Sequence, residues 1–151
     1  DLLLDLRGDC VVVLHKMSED DVRTFLTHPE VLIGSDTIPL PGRPHPRTAG
    51  TFARVLGRYV RDEARAGLPA MVKRMTADAA ERFNLPRRGR LAPGYTADLV
   101  VFDPGTVADR ATYISPLLPP TGIHHVLVEG QEVIREGLDT GARPGRVLEP
   151  A

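Results

Sequence analysis

Cysteine is nearly missing from this chain, and its one copy, Cys10, excludes an internal disulfide. Blocks of like charge are missing too. Nineteen basic residues stand against twenty acidic ones, interspersed along the chain. That balance leaves no nucleic-acid footprint and no acidic tail. No apolar run approaches the roughly 20 residues a helix needs to cross a bilayer. No charged segment followed by an apolar signal core opens the sequence, and no segment repeats. Gly89 and Gly94 lack the Gly-x-x-Gly helix start of a phosphate loop and read as turn geometry. The scarcity of cysteine fits a cytoplasmic location, which is the expectation here.

What is present suffices for one domain, or one domain with a small appendage: 151 residues, 42% of them apolar. The opening Asp1-Leu2-Leu3-Leu4-Asp5-Leu6 reads as the middle of a helix, as expected of a piece of a longer protein. Cys10-Val11-Val12-Val13-Leu14 is a continuous β-branched run, the mark of a strand covered on both faces. Ser18 is placed to cap a helix whose first turn holds Glu19, Asp20 and Asp21, where the helix dipole favours acids. Val22, Phe25 and Leu26 supply its apolar face, and His28-Pro29 ends it. Val31-Leu32-Ile33 is the next short buried strand. A strand, a short helical connection and a second strand predict a parallel pair.

Residues 37–48 hold Pro39, Pro41, Pro44 and Pro46, a stiff irregular loop. Phe52, Val55, Leu56, Tyr59 and Val60 then mark one face of an amphipathic helix, closed by Gly67. Pro69 suits the first turn of another helix, which carries Val72 and Met75. Thr76 is placed to cap a further turn with Ala79, Ala80 and Phe83. The character changes near Pro86. Residues 97–103 predict a strand with Asp98 and Asp103 fixing the turns beside it. Ile123 to Val128, Glu129-Gly130, and Gln131 to Arg135 predict a β-hairpin. Residues 141–146 read as an extended surface segment.

The chemistry-bearing stretch is Val31-Leu32-Ile33-Gly34-Ser35-Asp36, with His45-Pro46-Arg47 further along. In a parallel α/β protein the carboxyl end of a strand is where chemistry sits. By position alone, Asp36 also suits a helix cap or loop anchor, and Arg47 a surface or loop-pairing cation. His45 reads first as a loop-packing residue. His15, at a strand end, reads as a solvated or satisfied histidine. His124 and His125 alternate on a strand and cannot chelate together. Cys10 reads as a small buried apolar residue.

The segment Gly89-Arg-Leu-Ala-Pro-Gly-Tyr-Thr-Ala-Asp-Leu-Val-Val-Phe-Asp103 resembles the element that ends many amidohydrolase-superfamily proteins. Five further segments narrow the resemblance to the C-terminal part of N-acyl-D-amino-acid deacylases. They are Ile33-Gly-Ser-Asp36, His45-Pro-Arg47, the eleven residues Gly50 to Val60, the nine residues Pro104 to Thr112, and Gly141 to Leu148. The resemblance covers nearly all of this chain and about the last third of a family member.

It implies an α/β plus β architecture. Residues 1–85 would be terminal β/α units of a (β/α)8 amidohydrolase barrel, and 86–151 part of a small β-sandwich. It implies zinc-dependent hydrolysis of the amide of an N-acyl-D-amino acid, a small-molecule substrate, with no nucleic-acid or membrane partner. Zinc lowers the pKa of bound water toward neutrality and polarises the carbonyl. By resemblance, Asp36 is the catalytic carboxylate that takes and returns the proton. Arg47 binds the substrate α-carboxylate, and His45 stands beside it as a pocket residue. The metal ligands of the family are not matched. No His-x-His occurs, and neither Cys10 nor His15, His28, His45, His124 or His125 falls at a ligand position. Zinc is therefore expected in the parent enzyme, with none held by this chain alone. Thr37 stands where many relatives have glycine after the catalytic Asp, which bears on pocket width. Two other readings remain open. One is a non-catalytic fragment or interaction module whose open strand edges invite pairing with a second copy. The other is a cyclic-amide hydrolase of the same superfamily.

Overall fold

The computed structural model describes residues 2–7, 14, 16–38 and 42–149. The strand expected at 10–14, save Leu14, lies outside the described residues, as do His15, Pro39 and Pro41. In chain order the helices are α1 (Leu2–Asp5), α2 (Glu19–Thr27), α3 (Arg47–Arg54), a π-helical segment (Val55–Asp62) continuing α3, α4 (Leu68–Met75) and α5 (Ala77–Arg82). The strands follow: β1 (Leu99–Phe102), β2 (Ile123–Val128), β3 (Gln131–Arg135) and β4 (Leu138–Asp139). They form one antiparallel sheet in sequence order.

Local chemistry accounts for the start and end of α2. Ser18 Oγ accepts from the Asp21 backbone N–H, and the Asp21 side chain accepts from the Ser18 N–H, a reciprocal capping box. At the far end His28 turns extended (φ −67°, ψ 127°) because Pro29 disfavours a helical predecessor. Pro69 does sit in the first turn of α4.

Two expectations need correction here. Residues 31–33 are half-buried and belong to no ladder among the described residues. Their expected parallel partner, residues 10–14, lies outside the described residues save Leu14, and the described sheet, β1 to β4, is antiparallel. Gly67 does not close the helix before it. The π-helical segment ends at Asp62, Ala64 takes the left-handed turn (φ 49°), and Gly67 instead begins α4.

The expected apolar face is also redistributed. Val55, Leu56 and Tyr59 are buried, but Phe52 is 47% exposed and Ala53 takes the inner place. Phe83 likewise faces out, while Ala77 and Ala80 face in. The wider hydrogen-bond step of the π segment changes which residues share a face after residue 54.

Two apolar clusters meet on this helix. Leu26, Val55, Tyr59 and Met71 form one, with Ile33 packed against it. Ala53, Leu56 and Val107 form the other, with Phe102 and Ile123. The second cluster ties the helices to the sheet. The backbone of residue 107 comes so near that a Cβ on Gly57 would lie 2.4 Å from the Val107 carbonyl oxygen. Arg61 Nη1 donates to the same oxygen at 2.7 Å.

The β region is tied by its turns, as expected. Asp98 accepts from the Glu129 N–H, and Asp103 accepts from Gly105 N–H and Thr106 Oγ1. The Thr106 hydroxyl, and then the Gly105 N–H, hold the Asp103 carboxyl below its ordinary range. β2 and β3 join through the left-handed pair Glu129-Gly130 (φ 51° and 82°), the geometry that matches strand twist. β4 was not foreseen, although Glu136-Gly137 repeats the same turn (φ 52° and 79°). Residues 141–146 run along the hairpin, held by Arg143 on Asp139 and Arg146 on Glu129. An open groove of about 420 Å³ lies between them, lined by Val128, Val133, Ile134 and Pro144 among others.

One buried cation organises the helical half. Arg74 on α4 is 8% exposed, and its guanidinium donates to the carbonyls of Leu26 and Val31. Replacing it with Met keeps the apolar stem and removes every donor. Arg74→Met should cost about 3 kcal/mol, since two carbonyls lose charge-assisted bonds; urea unfolding measures it.

A second tie is acid-sensitive. Glu63 sits among Arg23 (2.8 Å), Arg58 (3.0 Å) and Arg65 (3.2 Å). The Arg23 bond above all, with Arg58 and Arg65, lowers its pKa from 4.5 to about 2. A carboxylate lowered on folding stabilises fully above its unfolded pKa and loses that contribution as pH falls through the folded value. The stability difference between the protein and Glu63→Gln should therefore shrink between pH 4.5 and about 2, as read by unfolding at a series of pH values.

Candidate active site

The site loop hangs from the Arg74 clamp. Val31 is fixed by its carbonyl, and its N–H donates to His28 O at 3.2 Å. Ile33 is seated on the first apolar cluster. Five residues beyond the clamped carbonyl comes Asp36, in the left-handed region at φ 50°. Aspartate tolerates that region better than most side chains, yet the conformation still costs energy. Strain of this kind persists where surrounding contacts hold it, often at functional sites.

The contact that holds it is Arg47. Its Nη2 lies 3.1 Å from Asp36 Oδ2. The next residue of each segment pairs as well, with Thr37 Oγ1 donating to Thr48 Oγ1 at 3.4 Å. Adjacent residues on both sides of the proline loop thus close on each other. The Asp36 side chain is 83% exposed and that of Arg47 37%. The Nε of Arg47, however, is buried and has no hydrogen-bond partner among the described residues. A guanidinium offers five donors in a planar fork, so Arg47 can serve a second acceptor while it faces Asp36.

His45 has a definite structural task. Its Nδ1 accepts from the Arg47 backbone N–H at 3.1 Å. That N–H opens α3 and has no acceptor within the helix. Pro46, the N-cap residue, makes no side-chain cap bond. The His45 ring fills that role from one residue earlier. Its other edge meets Tyr113, ring to ring at 5.3 Å and 80°, with Nε2 at 3.4 Å from the phenol oxygen.

The structure thus brings Asp36, His45 and Arg47 together and adds Arg74, Thr48 and Tyr113, which the sequence reading did not single out. Arg74 had no sequence signal beyond a cation on an apolar helix. Tyr113 had none, because it arrives from the β-rich half, 68 residues after His45. The other described histidines stay apart. His28 Nδ1 accepts from Glu30 N–H, His125 pairs with Glu132, and His124 is exposed. Among the described residues, no three His, Cys, Asp or Glu side chains gather in a way that could hold a metal ion. The present donor set around Asp36, one carboxylate facing a guanidinium, does not fit a zinc centre. Chemically the arrangement offers a carboxylate for proton transfer beside a cation for an anionic group. The groove beside the hairpin shares no residue with it.

Residues 10–134 match the profile described as "Amidohydrolase family". A D-aminoacylase of Alcaligenes xylosoxydans xylosoxydans is 51% identical over 132 residues, 87% of this chain and 27% of that protein. A crystal structure of a D-aminoacylase superposes with a TM-score of 0.84 at 49% identity, over 88% of this chain and 28% of that one. An N-acyl-D-glutamate deacylase from Bordetella bronchiseptica, solved with zinc and a phosphonate mimic of the tetrahedral intermediate, gives 0.75 at 53% identity. That match covers 78% of this chain and 25% of the other. The chain spans about a quarter of the length of the relatives it matches.

The backbone at Asp36 makes a prediction that separates strain from charge. Asp36→Ala should destabilise by about 1 kcal/mol, because alanine resists the left-handed region. Asp36→Gly, which lacks that resistance, should be less destabilising than Asp36→Ala although both lose the carboxylate. Paired urea titrations of the two variants check the order.

Proposed function

The chain belongs to the amidohydrolase family, and on that premise we propose that it forms the C-terminal portion of an N-acyl-D-amino-acid deacylase. Residues 1–85 would then be a barrel piece and 86–151 part of the small β-sandwich. The observation that carries the reading is the convergence of Asp36 and Arg47 at 3.1 Å, where the strained carboxylate meets the start of α3.

The division of labour follows from the side chains. Asp36 accepts the proton of the attacking water and returns it to the amine nitrogen as the amide C–N bond breaks. A free carboxylate and a D-amino acid leave. Arg47 holds the α-carboxylate of the substrate, using donors not committed to Asp36. That contact fixes which face of the α-carbon is presented and so supports selection of one enantiomer. Zinc, when bound, supplies a polarised carbonyl and a more acidic water. In this reading its ligands come from residues other than those described here. The substrate is a small anionic molecule. For the 151 residues by themselves, the reading adds pairing with a second copy through the strand edges that barrel-type segments leave open without their neighbours. A cytoplasmic location remains part of the proposal.

The test uses the full-length protein that carries these residues, supplied with zinc. It should deacylate N-acetyl-D-amino acids and leave the L series untouched. Asp36→Asn should lower kcat by about 10²–10⁴-fold. Arg47→Ala should mainly raise KM, by about tenfold or more, through loss of a charge-assisted contact. Steady-state kinetics decide it, and equal turnover of the two enantiomers would sink the reading.

A further inference from the structure

The stretch between residues 108 and 121 is the part of the β-rich half that reaches the candidate site. Its base is closed by a bridge, with Thr121 N–H donating to Ala108 O at 3.0 Å and Ala108 N–H to Thr121 O at 3.3 Å. It is pressed onto α3. A Cβ added to Gly50 would lie 2.1 Å from Asp109 Oδ1, so only glycine lets the two approach so closely. Asp109 in turn caps the Ala111 N–H at 2.8 Å and faces Arg54 Nη1 at 3.5 Å. A turn then closes between Thr112 and Ser115, each bonding the other through N–H donors at 3.2 and 3.0 Å. Tyr113 stands in that turn, half-exposed, with its ring edge on His45.

Contacts run without a break from there to the carboxylate. Tyr113 meets His45 Nε2, His45 Nδ1 accepts the Arg47 N–H, and Arg47 meets Asp36. The tautomer follows from the partners. Because Nδ1 accepts from a backbone N–H, a neutral ring carries its proton on Nε2 and presents it to the phenol oxygen. The phenol thereby favours the tautomer that leaves Nδ1 bare for Arg47.

We propose that Tyr113 is a positioning residue of the carboxylate-binding site, holding the His45 ring so that His45 fixes Arg47 at the head of α3. The inference rests on the reading of Arg47 as the residue that binds the substrate α-carboxylate. It adds that the loop of residues 109–120, from outside the barrel-like half, sets how well that residue is aimed.

The experiment is a kinetic cycle in the full-length zinc-loaded protein, with Tyr113→Ala, Tyr113→Phe, His45→Ala and the double variant His45→Ala/Tyr113→Ala. Tyr113→Ala should raise KM for an N-acetyl-D-amino acid about tenfold and leave kcat within about twofold, the signature of lost ground-state binding. A substrate whose α-carboxylate is replaced by a carboxamide should show no such rise. The double variant should be no worse than His45→Ala alone, since both act through one contact. His45→Asn, whose side-chain oxygen can replace Nδ1 as acceptor, should recover most of the KM lost in His45→Ala.

Ring-nitrogen NMR of His45 supplies a readout independent of turnover. The Nε2-protonated tautomer, fixed by the Arg47 N–H on Nδ1, should dominate in the unsubstituted protein. The Nε2 shift should move in Tyr113→Phe, which keeps the ring packing and removes only the phenol oxygen beside Nε2. An active enzyme in which Tyr113→Ala leaves KM unchanged, or in which the two substitutions add, overturns this inference alone. An unsubstituted enzyme without D-selective deacylation instead overturns the reading of the previous subsection. An unchanged His45 Nε2 shift in Tyr113→Phe overturns the Tyr113–His45 link in either case.

Discussion

A guanidinium buried among carbonyls carries the geometry of this chain. Arg74 binds Leu26 O near the end of α2 and Val31 O at the head of the site loop. Burying a cation is costly unless its donors are met. Here the partners are carbonyls, one at the C-terminal end of a helix, where the helix dipole is negative and favours a cation. The result is a fixed point between α2, α4 and the loop that leads to Asp36. Among the described residues, nothing pairs 31–38 in a ladder, and that point is what holds them. Backbone strain at Asp36 also requires a rigid origin, since a loose loop would relax to negative φ.

The second constraint is contact between the two halves. Gly57 and Arg61 on the π-helical segment both meet the Val107 carbonyl, and Val107 itself is fully buried. Such a close backbone approach tolerates no side chain on the helix at that place. It also sets where the chain after residue 107 emerges, directly over α3. The path of the 109–120 loop to His45 is thus determined by helix packing, and the site loop and the β-rich half converge on the same helix start. A π-helical stretch is rare and concentrates at functional regions. Here it lies directly after the helix that begins with Arg47.

Legibility from sequence follows the range of the interaction. The helix cap at Ser18, the stop at His28-Pro29, the hairpin at Glu129-Gly130 and the turn role of Asp103 all depend on neighbours within a few residues, and each is readable, whereas Asp98 accepts from the Glu129 N–H 31 residues on. The β4 hairpin was equally local, and its signal, a second Glu-Gly pair, was simply passed over. Features that failed are those set by distant partners. Residues 31–33 look like a strand because they are apolar and β-branched, but pairing is not a property of a segment alone. Phe52 falls on the expected face of a regular helix, yet it is 47% exposed and Ala53 is buried in its place. At the site, Asp36 and Arg47 could be singled out through family resemblance. Their mutual contact, the left-handed backbone of Asp36 and the approach of Tyr113 could not, since no periodicity encodes a contact across 68 residues.

The exposure of Asp36 bears on what the pair can do. An ion pair as open as Asp36–Arg47 contributes about 0–1 kcal/mol, because water screens both partners. Proton transfer to a leaving amine demands more: a carboxylate held in place and shielded, where each charge interaction strengthens as the local dielectric falls. The described residues provide the holding, through Arg74, the Thr37–Thr48 bond and the His45 cap. They do not provide the shielding, since Asp36 has 83% of its side chain open. Positioning and desolvation are thus separable contributions, and this chain embodies the first. In the proposed deacylase, metal ligands and Asp36 need not share a sequence neighbourhood: a closed site draws its walls from elements far apart in the chain, and only the aim of each group has to be settled locally.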